Sequence, residues 1–158
     1  MKGRGGTMFI KEAELFKELS QEFMNELVKN MAEESYEEGT FLFQESDSPN
    51  FFYVLEEGRV RLSIGERGHI VHTLTDPGEA FGWSSLIARD TYTATAECLA
   101  QSKLIKIARE KLDKIFEKHL ADSAQFYKRL AGVICQRLIN SYNSFLSSQR
   151  GEDQPSYG

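Results

Sequence analysis

Apolar residues along this chain recur in more than one rhythm. Between residues 9 and 18 a short helical segment brings Phe9, Leu15 and Phe16 together, and Ser20 is placed to cap a second helix with Glu22 in its first turn. Phe23, Leu27 and Met31 then repeat at four-residue spacing, which gives that helix one apolar face. From about residue 35 to 108 the rhythm shortens to alternating runs broken by turn residues. Phe41–Gln44 follows Glu38-Gly39, and Phe51–Leu55 runs into Glu57-Gly58, a tight turn. Val60, Leu62 and Ile64 alternate with Arg59, Arg61 and Ser63; Glu66-Arg67-Gly68 turns the chain, and Ile70–Leu74 returns. After the loop Thr75-Asp76-Pro77-Gly78, Thr93–Leu99 and Lys103–Ile107 form a last pair. Many short strands so closely punctuated predict a β-sandwich or β-barrel. From Glu110 the helical period comes back. Leu112, Ile115 and Phe116 share one face, and a long helix is expected from Asp122 to Ser147. Tyr127, Ala131, Ile134, Leu138 and Phe145 make its apolar stripe, widened by Phe126, Leu130, Val133 and Ile139, wide enough to serve both the barrel and a partner.

These patterns divide the chain into a flexible N-terminus (1–8), one domain (9–148) and a polar, disordered tail (149–158). Within the domain the β-roll occupies about 35–108 and the C-terminal helices 110–147. At 158 residues the chain is long enough to bury a real core. A net charge of −5 argues against a broad electrostatic footprint on nucleic acid or an anionic membrane. No apolar run approaches the ~20 residues of a membrane helix, and no apolar signal core follows Lys2 and Arg4, so a cytoplasmic protein is expected. Cys98 and Cys135, on a strand and a helix, are expected to be small buried apolar residues.

The stretch that carries chemistry is Phe81-Gly82-Trp83-Ser84-Ser85-Leu86, a spacer from Ile87 to Thr91, and then Tyr92-Thr93-Ala94-Thr95-Ala96-Glu97-Cys98. It resembles the phosphate cassette of the cyclic-nucleotide-binding-domain family: apolar-Gly-Glu-x-small-apolar, a short spacer, then Arg-small-Ala-x-apolar-x-small. The Leu15–Ser20 segment, Gly39 before a strand, and Phe52–Gly58 also look like that family, so the resemblance extends over about residues 9–148. It implies a mainly β fold with flanking helices, a jelly-roll double-stranded β-helix with N-terminal helices and a long C-terminal one. The sequence departs from the family at Ser46, where a turn glycine is usual, and at two cassette positions: Trp83 stands at the Glu position and Tyr92 at the Arg position.

By this resemblance the missing Arg would pair with the cyclic phosphate and the missing Glu would accept from the ribose 2′-hydroxyl. A planar guanidinium makes charge-assisted bidentate bonds that one neutral hydroxyl cannot. Losing such a bond costs about 2–5 kcal/mol, a factor of about 30 to several thousand in affinity. Binding of cyclic AMP or cyclic GMP by the usual mode is therefore not expected. The expected contact residues are Gly82, Trp83, Ser84, Ser85, Leu86, Tyr92, Thr93 and Ala94, with Tyr127 and Leu130 as a lid. Three alternatives stand. The module senses a different ligand; Trp83 and Tyr92 fill the pocket and leave a protein-interaction or dimerisation module; or a cyclic nucleotide, or another small anionic or nucleotide-like ligand, is held by the amides of Ser84, Ser85 and Leu86 at a short helix N-terminus. Arg89 is close enough in sequence to replace the lost Arg.

No catalytic set accompanies these residues, and an enzyme is not expected. His69 and His72 lie three apart on a strand and point to opposite faces, so they and His119 are expected at the surface without metal. Glu33-Glu34 and Glu37-Glu38 are expected as a solvated edge. In bacterial regulators of the resembled superfamily the helix after the barrel pairs with its copy. Ala131, Ile134, Leu138 and Phe145 accordingly predict a homodimer, with another signalling protein as a further partner and no membrane contact. The chain stops about ten residues after this helix, too few for a winged helix-turn-helix, so no DNA-binding domain is expected in it.

Overall fold

The computed structural model describes residues 9–152. The N-terminus expected to be flexible and residues 153–158 of the expected tail lie outside them. A helical turn over 9–12 and a 3₁₀ turn (Glu14–Phe16) lead to α1 (Gln21–Asn30). Ser20 caps α1 as its position predicts, its hydroxyl accepting from the Phe23 amide at 3.2 Å. Eight strands follow: β1 (Met31–Tyr36), β2 (Phe41–Phe43), β3 (Phe51–Glu57), β4 (Val60–Ile64), β5 (His69–Leu74), β6 (Ala80–Phe81), β7 (Thr95–Cys98) and β8 (Ser102–Ala108). Then come α2 (Arg109–Lys118) and α3 (Leu120–Glu152).

The strands form two antiparallel four-stranded sheets in the orders β1-β8-β3-β6 and β2-β7-β4-β5. β3 and β8 are apolar on both faces because each serves two cores. Phe52, Val54, Ile105 and Ile107 face the helices, where they pack with Phe16, Phe23, Phe116 and Phe126. Tyr53, Leu55 and Leu104 face the other sheet and pack with Val60, Leu74, Phe81 and Cys98. Gly58 makes the turn after β3 at φ +107°, and a Cβ there would lie 2.6 Å from the Ser102 Cα and 2.7 Å from the Gln101 carbonyl, so only glycine fits. Ser20 also binds α3: its amide donates to Asp122 at 2.8 Å and its hydroxyl to the other oxygen of the same carboxylate.

The structure moves several sequence-based boundaries. The strands begin at Met31, not 35. Met31 leaves the helix with ψ 153° and pairs with Ile107, yet its side chain still enters the helix-facing core, so the four-residue spacing continues across the change of element. The last helix runs to Glu152, past the expected end at 147, because Gln149 and Arg150 are good helix formers and the next proline is Pro155. Cys98 is buried, but Cys135 is exposed, among the exposed residues 134–136 of α3. Glu33 and Glu34 are half-buried and paired with Lys103 and Lys106 rather than solvated, since β1 lies beside β8. His72 and His119 are half-buried and face Glu79 and Glu26, whereas His69 is exposed.

Candidate ligand site

β6 pairs with β3 through Tyr53↔Phe81 and Val54↔Ala80, and this places the next residue, Gly82, against the β3 backbone. Gly82 turns there at φ +78°, and a Cβ would lie 3.0 Å from the Phe51 carbonyl. A single 3₁₀ turn, Trp83–Ser85, follows. Beside it opens a cavity of about 220 Å³. Of the cassette residues expected at a ligand, Gly82, Trp83, Ser84, Tyr92, Thr93 and Ala94 line it; Ser85 and Leu86 do not. The remaining wall comes from Phe43, Leu62, Ile64, Val71, His72 and Phe81, and from Arg137 of α3.

The turn offers less to an anion than its sequence suggests. The Ser85 amide and hydroxyl donate to the Gly82 carbonyl at 3.1 and 2.7 Å, and the Leu86 amide donates to the Trp83 carbonyl at 2.9 Å. These donors close the turn instead of facing a ligand. Tyr92 is likewise committed. Its hydroxyl donates to the Phe51 carbonyl at 2.6 Å and accepts from the Phe51 amide at 3.1 Å. Its ring stacks on Phe43 with centroids 3.7 Å apart. Burial pushes the phenol up to about 12, so it stays neutral. Tyr92 and Trp83 therefore wall the cavity and leave it open; they do not fill it.

Trp83 has a different environment. The Arg137 guanidinium lies 4.2 Å from its ring centre, and Arg137 Nη2 donates to the Ala80 carbonyl at 2.9 Å. The indole N–H is buried without a hydrogen-bond partner. Burial pushes the Arg137 guanidinium down to about 10, still charged at neutral pH. Nearby, His72 Nε2 lies 3.1 Å from Glu79, which also accepts from the Thr75 and Asp76 amides at 3.0 Å each. Burial alone would raise the Glu79 carboxyl, but the Asp76 amide, His72 and the Thr75 amide hold it below its usual value.

The expected lid residues lie elsewhere. Leu130 is buried in the helix-facing core, and Tyr127 donates its hydroxyl to the Leu86 carbonyl at 2.8 Å, fastening α3 to the end of the cassette. Arg89 is exposed and is not in the cavity wall; its carbonyl accepts from Arg109 at 3.4 Å. The cation at this site comes from Arg137 instead. Its signal in the sequence is a charge four residues after Val133 and seven after Leu130, on a face that is otherwise apolar.

The model of the "Cyclic nucleotide-binding domain" family matches residues 33–119, more than half of the chain. The chain belongs to the cyclic nucleotide-binding domain family. Among curated proteins it is similar to human cGMP-dependent protein kinase 2, with 27% identity over 90 residues, covering 54% of this chain and 12% of the kinase. The chain thus spans about an eighth of that relative's length. Among solved structures its fold is similar to a putative cyclic nucleotide-binding protein from Geobacter metallireducens (TM-score 0.74, 24% identity, 86% of this chain and 98% of that one). It is also similar to the catabolite activator protein of Thermus thermophilus (TM-score 0.67, 22% identity, 86% and 63%). The two-sheet jelly roll with flanking helices is the fold that the resemblance implied. The family match spans the stretch Phe81–Cys98, which the sequence resemblance takes as the cassette, with Trp83 and Tyr92 at the positions where it leads one to expect charge.

Proposed function

We propose that this domain is a non-catalytic regulatory sensor whose cavity between cassette and α3 takes a small ligand, and that it does not bind cyclic AMP or cyclic GMP by a Glu/Arg cassette. Tyr92 carries this reading. The residue at the phosphate-binding position has spent its polar group on the β3 backbone, so the position supports strand packing and offers nothing to a phosphate. The output passes to a second copy or to another signalling protein. A cytoplasmic setting belongs to this reading, supported by two free cysteines. Among the described residues no helix is long and apolar enough to cross a membrane. Calorimetry with cyclic AMP and cyclic GMP tests the claim: no micromolar binding is expected, and micromolar binding of either overturns it.

Homodimerisation through α3 accompanies this function. Beyond Val133 the helix still touches the barrel through Arg137, but Ile134, Leu138 and Phe145 are 38%, 48% and 60% exposed. With the exposed Ala131 and Tyr142 they recur at spacings of three and four, the pattern of a pairing helix. Leu138→Glu is expected to halve the mass measured by light scattering, and an unchanged mass excludes this face as the interface.

A further inference from the structure

Arg137 is a half-buried cation with little to neutralise it. The Ala80 carbonyl uses a small part of its donor capacity, and the Trp83 ring covers one face. Among the described residues no carboxylate forms an ion pair with it. Glu79, whose charge reaches it, has its oxygens occupied by His72 and two backbone amides. A desolvated charge without a counter-ion is unfavourable, and an anion brought to it relieves that cost.

The cavity beside this cation is lined by the buried Phe43, Phe81 and Tyr92, by Leu62, and by the more exposed polar Arg137, His72 and Thr93. Its volume is about 220 Å³, which at roughly 30 Å³ per water is the room of about seven waters and suits the body of a small molecule. Drug-sized ligands occupy sites of about 300–1,000 Å³. Two further clefts, of about 470 and 440 Å³, are also lined by His72 and Arg137, so these side chains are shared by all three.

Taking the cavity as a ligand site, as proposed above, we infer that Arg137 is its anion anchor and that the ligand is a small amphiphilic monoanion, with an apolar body inside the barrel and a carboxylate against the guanidinium. A planar guanidinium matches a carboxylate with two parallel hydrogen bonds. The anchor moves from the cassette to α3. Occupancy then bears directly on the helix that carries the exposed Leu138 and Phe145, and a ligand that contacts Arg137 better in one helix position shifts the helix toward it.

Trp83 is the chain's one tryptophan and lies against Arg137, so its emission reports on the site. The test titrates the full chain with phenylacetate and octanoate, with the matched uncharged amides, and with cyclic AMP, in wild type, Arg137→Gln and Arg137→Lys. The acids are expected to shift Trp83 emission saturably and the amides to bind at least ten-fold more weakly. Arg137→Gln should abolish that preference and Arg137→Lys keep part of it; Arg89→Gln, outside the cavity, should match wild type. Equal binding of acids and amides by wild type overturns the inference even if no Arg137 variant folds, as does an acid preference that survives in Arg137→Gln. Binding of the amides alone overturns the anchor and leaves the ligand site standing; binding of cyclic AMP alone overturns the anchor and also the reading that this domain does not bind cyclic AMP. No binding by any of these probes overturns the anchor and counts against the ligand site itself.

Discussion

Tyr92 and Trp83 stand where the sequence resemblance leads one to expect two charged residues, and the fold uses them in opposite ways. Tyr92 is 4% exposed, stacked on Phe43, with its hydroxyl satisfied twice by the backbone of β3. Trp83 is half-buried, keeps an unpartnered N–H, and touches a side chain of a different element, Arg137 of α3. One replacement has joined the barrel. The other has become the point where barrel and long helix meet at the cavity. Loss of the same charge pattern therefore has two outcomes within ten residues, and neither amounts to filling the pocket.

The comparison is sharpest in stability. Tyr92→Ala removes a stacked, buried ring and is expected to cost about 3–5 kcal/mol in urea unfolding. Tyr92→Phe leaves the ring but strands the Phe51 amide and carbonyl, for about 1–3 kcal/mol. Trp83→Phe should fall within about 1 kcal/mol of wild type, because the smaller ring's lost contacts are offset by removal of an unsatisfied N–H. If Trp83→Phe costs as much as Tyr92→Phe, the contrast between the two positions is gone. The smallest effect belongs to Ser46, whose amide donates to the Tyr92 carbonyl at 3.2 Å from a backbone held at φ +81°. That is a left-handed conformation, strained for serine and free for glycine. Ser46→Gly should raise stability by about 0.5–1 kcal/mol, the strain relieved exceeding the added unfolded-state entropy. A loss of stability would show that the Ser46 side chain contributes more than its backbone strain costs.

How much of this was legible in the sequence follows from how local each cause is. Ser20 capping α1 and Gly58 closing a turn depend on neighbours and were readable. β1 was not, because Met31–Tyr36 lies at a sheet edge with only Met31 fully buried, so its polar surface hides the strand period. β6 is two residues long and carries no pattern of its own. The left-handed turn at Ser46 was legible, because the resemblance places a glycine there and the backbone holds φ +81°. The fate of Tyr92 was not, because its partner Phe51 lies 41 residues away and nothing near either residue announces the bond. Arg137 left a trace, a charge interrupting the face of Leu130 and Val133, but the Trp83 ring beneath it is 54 positions distant in the chain.

The two-faced strands β3 and β8 bear on how the chain avoids misfolding. Side chains alternate across a strand, so a slip of one residue between β3 and its neighbours exchanges the two sets it presents. Phe52 and Val54 would turn into the barrel, while Tyr53 would carry its phenol into the aromatic cluster under the helices. Such an error is penalised in both compartments at once and cannot be repaired in one without the other. The central strand pair thus acts as a proofreading element for assembly, and the site inherits its alignment, since β6, Gly82 and the Tyr92 hydroxyl all take their positions from β3.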